Sequence, residues 1–364
     1  MIRTIEAFTP KLLTSIFQKA FGDPNLLVKT VSPVRLSFKT AYNAQLYRLE
    51  LDYSDPDSSH PKSVIAKLAD EASELSENSR VFQPGPKEEW FYRCIAPAGS
   101  ISAPRFYFGD VSRETGLAAL LIEDLGRLEA SSQVDGMTRD DAELALTEIA
   151  RFHARWWNKT ATSTFAELRS LMGTASFAIA LVDKFFEEAW PLFLKNSTFS
   201  VPTAVKKFGD GLIGRGESIE MLCRSSPQTL LHGDYRVDNM LFAGGGDTRR
   251  CFALDWEDVG IGCGMSDIAW LIAGCMPNIS AQVEHEMLRH YHECLQANGV
   301  SGYAFEECFE DYRRCMVERF IQGVLSGTVH EPETASEGNI LFATAIGSRF
   351  VAAADRLSLQ KLML

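Results

Sequence analysis

The stretch that most constrains this chain runs from residue 229 to residue 272 and joins a polar loop to two short apolar runs. The loop begins at His232, carries Asp234, and ends at Asn239, five residues further on. Residues 240–242 then form an apolar run, and apolar runs bounded by glycine or polar residues are typical of short strands. The pattern predicts a loop that presents an acid and an amide at the start of a β-hairpin.

The second half of this hairpin adds another carboxylate. A glycine-rich turn at 244–247 reverses the chain into a second apolar run, 251–254, which ends on Asp255. Because Asn239 and Asp255 occupy the same end of paired strands, the hairpin predicts that their side chains lie close together. Two neighbouring oxygen donors, with Asp234 upstream, suit a divalent hard cation and a hydroxyl nucleophile.

The order and spacing of these residues resemble a known family. The segment HGDYRVDN, 232–239, has the His-x-Asp-x-x-x-x-Asn pattern of aminoglycoside phosphotransferases and of choline, homoserine and ecdysteroid kinases. The segments ALDWED and MSDIAWL resemble the metal-binding acid and the downstream helix of that family, most closely its ecdysteroid-kinase-like branch. The alternative is a polar loop whose Asp and Asn only cap turns between buried strands. Four matched positions in the right order favour the family.

The resemblance implies an α+β, two-lobed protein-kinase-like fold. The small N-terminal lobe would hold an antiparallel sheet, and the larger C-terminal lobe would be mostly α-helical. The resemblance also implies ATP and Mg²⁺ as cofactors. Asp234 would orient and deprotonate the acceptor hydroxyl, Asn239 and Asp255 would hold Mg²⁺, and His232 and Asp267 would brace the catalytic loop.

The length of 364 residues independently favours two lobes over one core. We expect a nucleotide-binding lobe over residues 1–122, a hinge over 123–127, and a catalytic and substrate-binding lobe over 128–364. Within the second lobe, the helical and aromatic-rich segment 165–223 is interpreted as an insertion that shapes the acceptor pocket. The alternative, that its aromatic residues form the core of packed helices, is weighed as equal.

A lysine at the end of a predicted strand is the candidate for binding nucleotide phosphates. Lys67 resembles the lysine on the third strand of the family and of protein kinases. It precedes a helix predicted to start at Gly85, which carries Glu88 and Glu89. In the family a Glu often stands three residues before a Phe-Tyr pair, which favours Glu88 as the partner of Lys67. The alternative is that both acids only stabilise the helix N-terminus.

Two further segments follow from the resemblance. Ile122, Glu123 and Asp124 match the linker that contacts adenine, through the Ile122 carbonyl and the Asp124 amide. The loop expected to cover the nucleotide, 37–45, contains no glycine, although glycine allows backbone amides to approach phosphate closely. Its polar side chains would supply donors instead; they are Ser37, Thr40 and Asn43.

Apolar periodicity supports two more interpretations. Residues 4–21 place apolar side chains at helical spacing, which predicts one packed helix. A capping box at 138–141 predicts a helix start, and His153 falls among apolar residues on the buried face of that helix. We therefore interpret His153 as a core histidine rather than a catalytic base.

Composition narrows the partners and the location. The net charge of −12 argues against nucleic acid, whose binding proteins carry basic surfaces. The eight cysteines include no Cys-x-x-Cys pair, which is typical of free thiols in a reducing compartment. We find no signal-peptide pattern and no run of about 18 apolar residues. The expectation is a cytoplasmic protein with neither a membrane nor a nucleic-acid partner.

The functional hypothesis from the sequence is an ATP-dependent O-phosphotransferase, a small-molecule kinase. Its acceptor would be a small hydroxylated metabolite with some apolar surface or a single amine. An aminoglycoside or choline-type amino-alcohol kinase is the alternative among enzymes. The alternative from another class is a catalytically silent kinase-like protein that binds a nucleotide or another ligand, and the glycine-free loop is its support.

Overall fold

The computed structural model divides the chain into two compact units. It describes residues 1–36, 44–56, 59–69, 82–126, 131–172, 182–245 and 248–362, so Ser37, Thr40 and Asn43 lie outside the described residues. Unit 1 comprises Met1–Leu128, Glu167–Met172 and Leu254–Val259; unit 2 comprises Glu129–Ala166, Gly173–Ala253 and Gly260–Leu364. Unit 1 holds an antiparallel sheet, and the larger unit 2 is mostly helical, which confirms the predicted fold class.

The sheet of unit 1 has five strands in the order β1-β2-β3-β5-β4, each antiparallel to its neighbours. The strands are β1 Val28–Leu36, β2 Ala44–Tyr53, β3 Ser63–Ala69, β4 Phe106–Ser112 and β5 Leu117–Glu123. On β3, Val64, Ala66 and Leu68 are buried in the apolar core. Because side chains alternate along a strand, Lys67 faces the opposite side of the sheet from that core.

The N-terminal segment corrects one prediction. Residues 4–21 do not form one helix: a 3₁₀ turn, Ile5–Ala7, is followed by a separate helix α1, Pro10–Phe21. The break falls where Thr9 has extended backbone and its Oγ1 accepts the Leu12 N–H at 3.3 Å, while proline follows at the first helical position. The apolar spacing was read correctly, but the cap and the proline decide where the helix starts.

Helix α2, Pro84–Trp90, continues into a π-helical turn, Phe91–Ile95, and packs against the start of β5. The approach is close because residue 85 is glycine. A Cβ atom there would lie 2.5 Å from the backbone nitrogen of Ala118. This packing holds the helix that carries Glu88 against the sheet.

The rest of the chain is mostly helical. In order, the α-helices of its described residues are α3 Arg139–Trp156, α4 Ala166–Leu171, α5 Glu187–Asn196, α6 Thr203–Leu212, α7 Gly216–Leu222, α8 Met265–Ala269, α9 Ala281–Ala297, α10 Phe305–Ser326 and α11 Glu337–Arg356. Two short antiparallel pairs accompany them: β6 Gln228–Leu231 with β9 Gly260–Cys263, and β7 Met240–Ala243 with β8 Arg250–Ala253. The predicted hairpin is therefore formed by β7 and β8.

Among the described residues of the segment 165–223, most aromatic side chains lie in the core of unit 2, whereas Phe185 is exposed. Phe186, Trp190 and Phe193 are almost fully buried, and the Trp190 ring stacks against the other two at centroid distances of 5.7 and 5.8 Å. Its edge meets Phe320 of α10. These rings support the interpretation that the segment forms a helical core, and they give no support to the interpretation that it lines an acceptor pocket.

In the described ranges no helix is long and apolar enough to cross a membrane. All eight cysteines are free.

Candidate active site

The polar loop after β6 is held by a single carboxylate of α8. The two side-chain oxygens of Asp267 accept the backbone N–H groups of His232, at 2.7 Å, and Gly233, at 2.9 Å. Gly233 has a φ of +90°, a conformation that glycine adopts readily. The His232 ring closes the loop from inside, because its Nδ1 accepts the N–H of Asp234 at 3.3 Å. Asp267 and His232 thus fix the backbone that carries Asp234.

Asp267 is fully buried and remains ionised. Its Oδ2 lies 3.2 Å from the Nε2 atom of His153, whose Nδ1 contacts the hydroxyl of Tyr291 at 2.8 Å. Burial acts to raise the pKa of the Asp267 carboxyl, but the hydrogen bond and charge of His153 outweigh it and lower this pKa below 3.8. His153 is buried, as its helical spacing predicted, and it supports the loop through Asp267.

The Asp234 carboxylate receives three side-chain N–H donors. Oδ1 accepts the indole N–H of Trp270 at 2.6 Å, while Oδ2 accepts Nδ2 of Asn239 and Nε of Arg236, both at 2.8 Å. Arg236 also donates to Asp238 at 2.8 Å. The Asp234 side chain is still 25% exposed. It is therefore both fixed in orientation and accessible to a reactant.

Asn239 is oriented so that its carbonyl oxygen stays available. Both of its side-chain hydrogen bonds within the described residues are donated by Nδ2, to the carboxylate and to the backbone carbonyl of Asp234. An amide oxygen is a hard ligand of the kind that Mg²⁺ accepts. The side chain thus fits the metal-binding role predicted for it.

In unit 1, three carboxylates surround the amino group of Lys67. Its Nζ lies 2.7 Å from Glu88, 2.5 Å from Asp255 and 2.9 Å from Glu257. These residues come from β3, from α2 and from the turn after β8, so the cluster joins three distant segments. Glu89, the alternative partner for Lys67, instead accepts from Arg93 at 2.8 Å.

One ammonium, that of Lys67, contacts three carboxyl groups, and this crowding of acids changes the pKa values in the cluster. Burial acts to lower the pKa of Lys67, but the three acids raise it well above 10.5. Burial, together with the neighbouring acids Asp255 and Glu88, raises the pKa of Glu257 to about 8 against the opposing effect of Lys67. Side-chain oxygens of the three acids lie within 4.8 Å of one another. These closely spaced carboxyl oxygens are hard donors of the kind that Mg²⁺ accepts.

The backbone at Asp255 is unusual. This residue has φ 62° and ψ 69°, the left-handed region that non-glycine residues rarely adopt. A 3₁₀ turn, Trp256–Asp258, follows, and the buried Trp256 ring stacks on Phe91 at a centroid distance of 3.5 Å. The stacked ring anchors the turn, and the left-handed residue directs the Asp255 carboxylate to Lys67.

A shallow pocket opens beside Lys67 in unit 1. Charged side chains line one part of it, and small or apolar residues of β5 and the start of α2 line the rest. The lining residues are Ala44, Lys67, Ala69, Pro84, Gly85, Glu88, Gly116, Leu117, Ala118, Leu120 and Glu257. The amino group of Lys67 thus borders open space as well as its acids.

The predicted adenine-binding residues lie at the end of β5. Ile122 and Glu123 are the last residues of the strand, and the Glu123 N–H already donates to the Arg105 carbonyl at 2.8 Å. The Asp124 carboxylate accepts Nε of Arg48 and the hydroxyl of Ser63, each at 2.6 Å. These contacts fix the segment, and its contacts with adenine stay a prediction.

Two contacts were missed by sequence reasoning. Glu257 was not assigned Lys67 as a partner from the sequence, and it contacts that lysine from its position two residues after Asp255. Trp270 was not singled out, although it stands three residues after Asp267, one helical turn away. That spacing is the signal that could have placed the side chains of Asp267 and Trp270 at the same loop.

Solved structures with a similar fold are small-molecule kinases. An ethanolamine kinase of Plasmodium vivax has a TM-score of 0.53 and 16% identity, over 90% of this chain and 84% of that chain. A choline kinase of Streptococcus pneumoniae has a TM-score of 0.50 and 13% identity, over 94% and 99%. An aminoglycoside 2′-phosphotransferase has a TM-score of 0.50 and 11% identity, over 95% and 98%. At these identities the similarity shows a kinase-like fold.

Sequence comparison supplies the family. No curated protein matches this chain. The profile of the ecdysteroid kinase-like family, in contrast, matches residues 39–299, which is most of the length and includes Lys67, the polar loop and Asp255. The chain belongs to the ecdysteroid kinase-like family.

Proposed function

We propose that this protein transfers the γ-phosphate of ATP to a hydroxyl of a small metabolite. The observation that carries the proposal is the cluster at Lys67, in which Glu88 and Asp255 meet one lysine from separate segments. Family membership and the kinase-like fold support it. The similar aminoglycoside phosphotransferase was solved as a GDP complex, which supports a nucleotide as the phosphate donor.

Each proposed role follows from the chemistry of phosphoryl transfer, which needs positioning and charge neutralisation. Lys67 would bind the α- and β-phosphates, with Glu88 holding the lysine. Asn239 and Asp255 are the proposed Mg²⁺ ligands, and the metal would neutralise charge on the phosphates. Ile122, Glu123 and Asp124 are proposed to bind adenine.

Asp234 is the proposed base. Its carboxylate would orient the acceptor hydroxyl and take up its proton as transfer proceeds. The acceptor oxygen forms a bond to the γ-phosphorus, the bond from that phosphorus to the bridging oxygen breaks, and ADP leaves with the electron pair. His232 and Asp267 would maintain the geometry through the backbone.

The proposed acceptor class is a small alcohol, which includes amino alcohols because two of the similar proteins are an ethanolamine kinase and a choline kinase. The buried rings of the segment 165–223 give no support to a large apolar acceptor. We therefore give choline-type amino alcohols and the partly apolar metabolite that composition favoured the same weight as candidate acceptors.

The test is transfer of labelled γ-phosphate from ATP or GTP, with Mg²⁺, to a panel of amino alcohols, polyols, apolar alcohols and aminoglycosides. We expect a phosphorylated product from at least one small alcohol, and none with Lys67→Met, which cannot bind the phosphates electrostatically. Nucleotide binding without transfer to any acceptor would indicate the catalytically silent alternative. Absence of both would overturn the proposal.

A further inference from the structure

One side chain touches the Asp234 carboxylate from outside the polar loop. The indole N–H of Trp270 donates to Oδ1 at 2.6 Å, a short distance typical of a hydrogen bond to a charged acceptor. Trp270 is only 5% exposed. Its N–H is therefore committed to this contact and shielded from competing water.

The two carboxylate oxygens of Asp234 accept different numbers of hydrogen bonds. A carboxylate oxygen offers about two acceptor positions. Oδ2 uses both, for Asn239 and Arg236, whereas Oδ1 accepts Trp270 alone among the side chains of the described ranges. The position left for a reacting hydroxyl is on Oδ1, the oxygen that the indole holds.

Trp270 is itself fixed by two long helices of unit 2. Its ring stacks on Phe350 of α11 at a centroid distance of 5.0 Å. The guanidinium of Arg319, from α10, lies 5.8 Å from the ring centroid and donates to the backbone carbonyl of Ser266 at 3.1 Å. Trp270 also begins a π-helical turn, a feature that often occurs at functional sites. The indole cannot turn away without disturbing this packing.

From these contacts we propose that Trp270 is a positioning residue for phosphoryl transfer. It holds Oδ1 of Asp234 where the proton of the acceptor hydroxyl arrives, as the new oxygen–phosphorus bond forms and ADP leaves. This inference rests on the proposed function. Because Asp267 of the same helical segment fixes the loop backbone, α8 and the turn after it control both the backbone and the carboxylate of the proposed base.

A purely structural role for Trp270 is the competing explanation, and the chain offers a matched control for it. Trp190 is also buried, stacks on aromatic neighbours, and donates its indole N–H to a carboxylate, that of Asp210, at 2.8 Å. This contact lies in the aromatic core of unit 2 and involves no residue of the polar loop. Substituting either tryptophan by phenylalanine removes one indole–carboxylate bond and keeps a ring.

The kinetic test compares Trp270→Phe with Trp190→Phe on the acceptor identified by the transfer assay. We expect Trp270→Phe to lower kcat roughly ten- to a hundred-fold, since one hydrogen bond to a charged group is lost, with unchanged Mg·ATP affinity. We expect Trp190→Phe to lower the thermal midpoint and leave kcat close to that of the parent protein. Equal kcat in Trp270→Phe and the parent protein would overturn the proposal, as would parallel losses in both variants.

A spectroscopic test works without turnover. In ¹⁵N-tryptophan-labelled protein, which has six indole signals, Trp270→Phe identifies the signal of Trp270. We expect Asp234→Ala to shift that signal strongly and to leave the signal of Trp190 in place. An unshifted Trp270 signal would overturn the contact, and with it the positioning role, while leaving the proposed function intact. If the signal shifts but the parent protein transfers phosphate to no acceptor, the contact stands, and the proposed function and the positioning role that rests on it are overturned.

Discussion

Asp234→Asn keeps the size of the side chain and, through its one carbonyl oxygen, at most two of the three N–H contacts, while it removes the negative charge. We predict that Asp234→Asn lowers turnover by roughly 10²–10⁴-fold, because an amide cannot take up the hydroxyl proton. Binding of Mg·ATP should stay within a few-fold of the parent protein. Initial rates and calorimetric titration check the two expectations, and near-normal turnover would contradict the role.

The two proposed metal ligands differ in charge, which gives a second prediction at the same scale. Asp255→Ala should weaken Mg·ATP binding more than Asn239→Ala, because a carboxylate offsets the dehydration of Mg²⁺ better than a neutral amide. Titration of each variant with Mg·ATP by calorimetry measures both losses. Equal losses, or a larger loss for Asn239→Ala, would count against the assignment.

At the scale of elements, α8 determines the shape of the polar loop through Asp267. We predict that Asp267→Asn costs roughly 2–4 kcal/mol of unfolding free energy, since a buried ionised acceptor of two backbone N–H groups and one histidine is lost. Urea unfolding at pH 7 measures the cost. A change below about 0.5 kcal/mol would show that the loop does not depend on this carboxylate.

The same comparison has a defined pH dependence. The pKa of Asp267 is lower in the folded protein than its ordinary value of 3.8, because its contacts with His153 outweigh its burial. Its contribution to stability is therefore complete above that value and is lost as the pH falls through the folded pKa. The difference in unfolding free energy between the parent protein and Asp267→Asn should stay constant from pH 7 to about 5 and become smaller towards pH 3.5.

The packing of α2 on β5 gives a prediction for an element of unit 1. Gly85→Ala would place a Cβ atom 2.5 Å from the backbone of Ala118, and backbone cannot move aside as a flexible side chain can. We expect a loss of about 1–3 kcal/mol and weaker nucleotide binding, because α2 carries Glu88. Gly211→Ala is the control: it lies in α6 with no atom near its added methyl group, and it should be neutral or slightly stabilising.

For the molecule as a whole, the sequence was sufficient where a local pattern decides the structure. Helical spacing placed His153 on a buried helix face, and the family resemblance carried by the polar loop and its hairpin implied the fold class. The break before Pro10 could also be predicted from the sequence, from Thr9 and the proline, but apolar spacing alone does not show it. A cap and a proline override periodicity at the ends of helices.

Contacts that join distant segments were beyond this reasoning. Helical spacing from Asp267 brings Trp270 to the polar loop, but its contact with Asp234 also depends on how Phe350 and Arg319 pack around the indole, which spacing does not supply. The left-handed backbone of Asp255, next to the Trp256 ring that stacks on Phe91, is likewise not visible in a local pattern. The proximity of Asn239 to Asp255, which the hairpin suggested, stays a prediction that the paired metal-ligand variants address.

That left-handed backbone has a consequence for laboratory evolution of this protein. A non-glycine residue in this conformation costs on the order of 1 kcal/mol, which glycine would not incur. Asp255→Gly also removes one of three acids crowded at Lys67. A library selected only for heat resistance should therefore enrich Asp255→Gly, whereas selection for phosphate transfer should eliminate it. Sequencing both selected pools would show whether aspartate at residue 255 lowers thermal stability while it supports phosphate transfer.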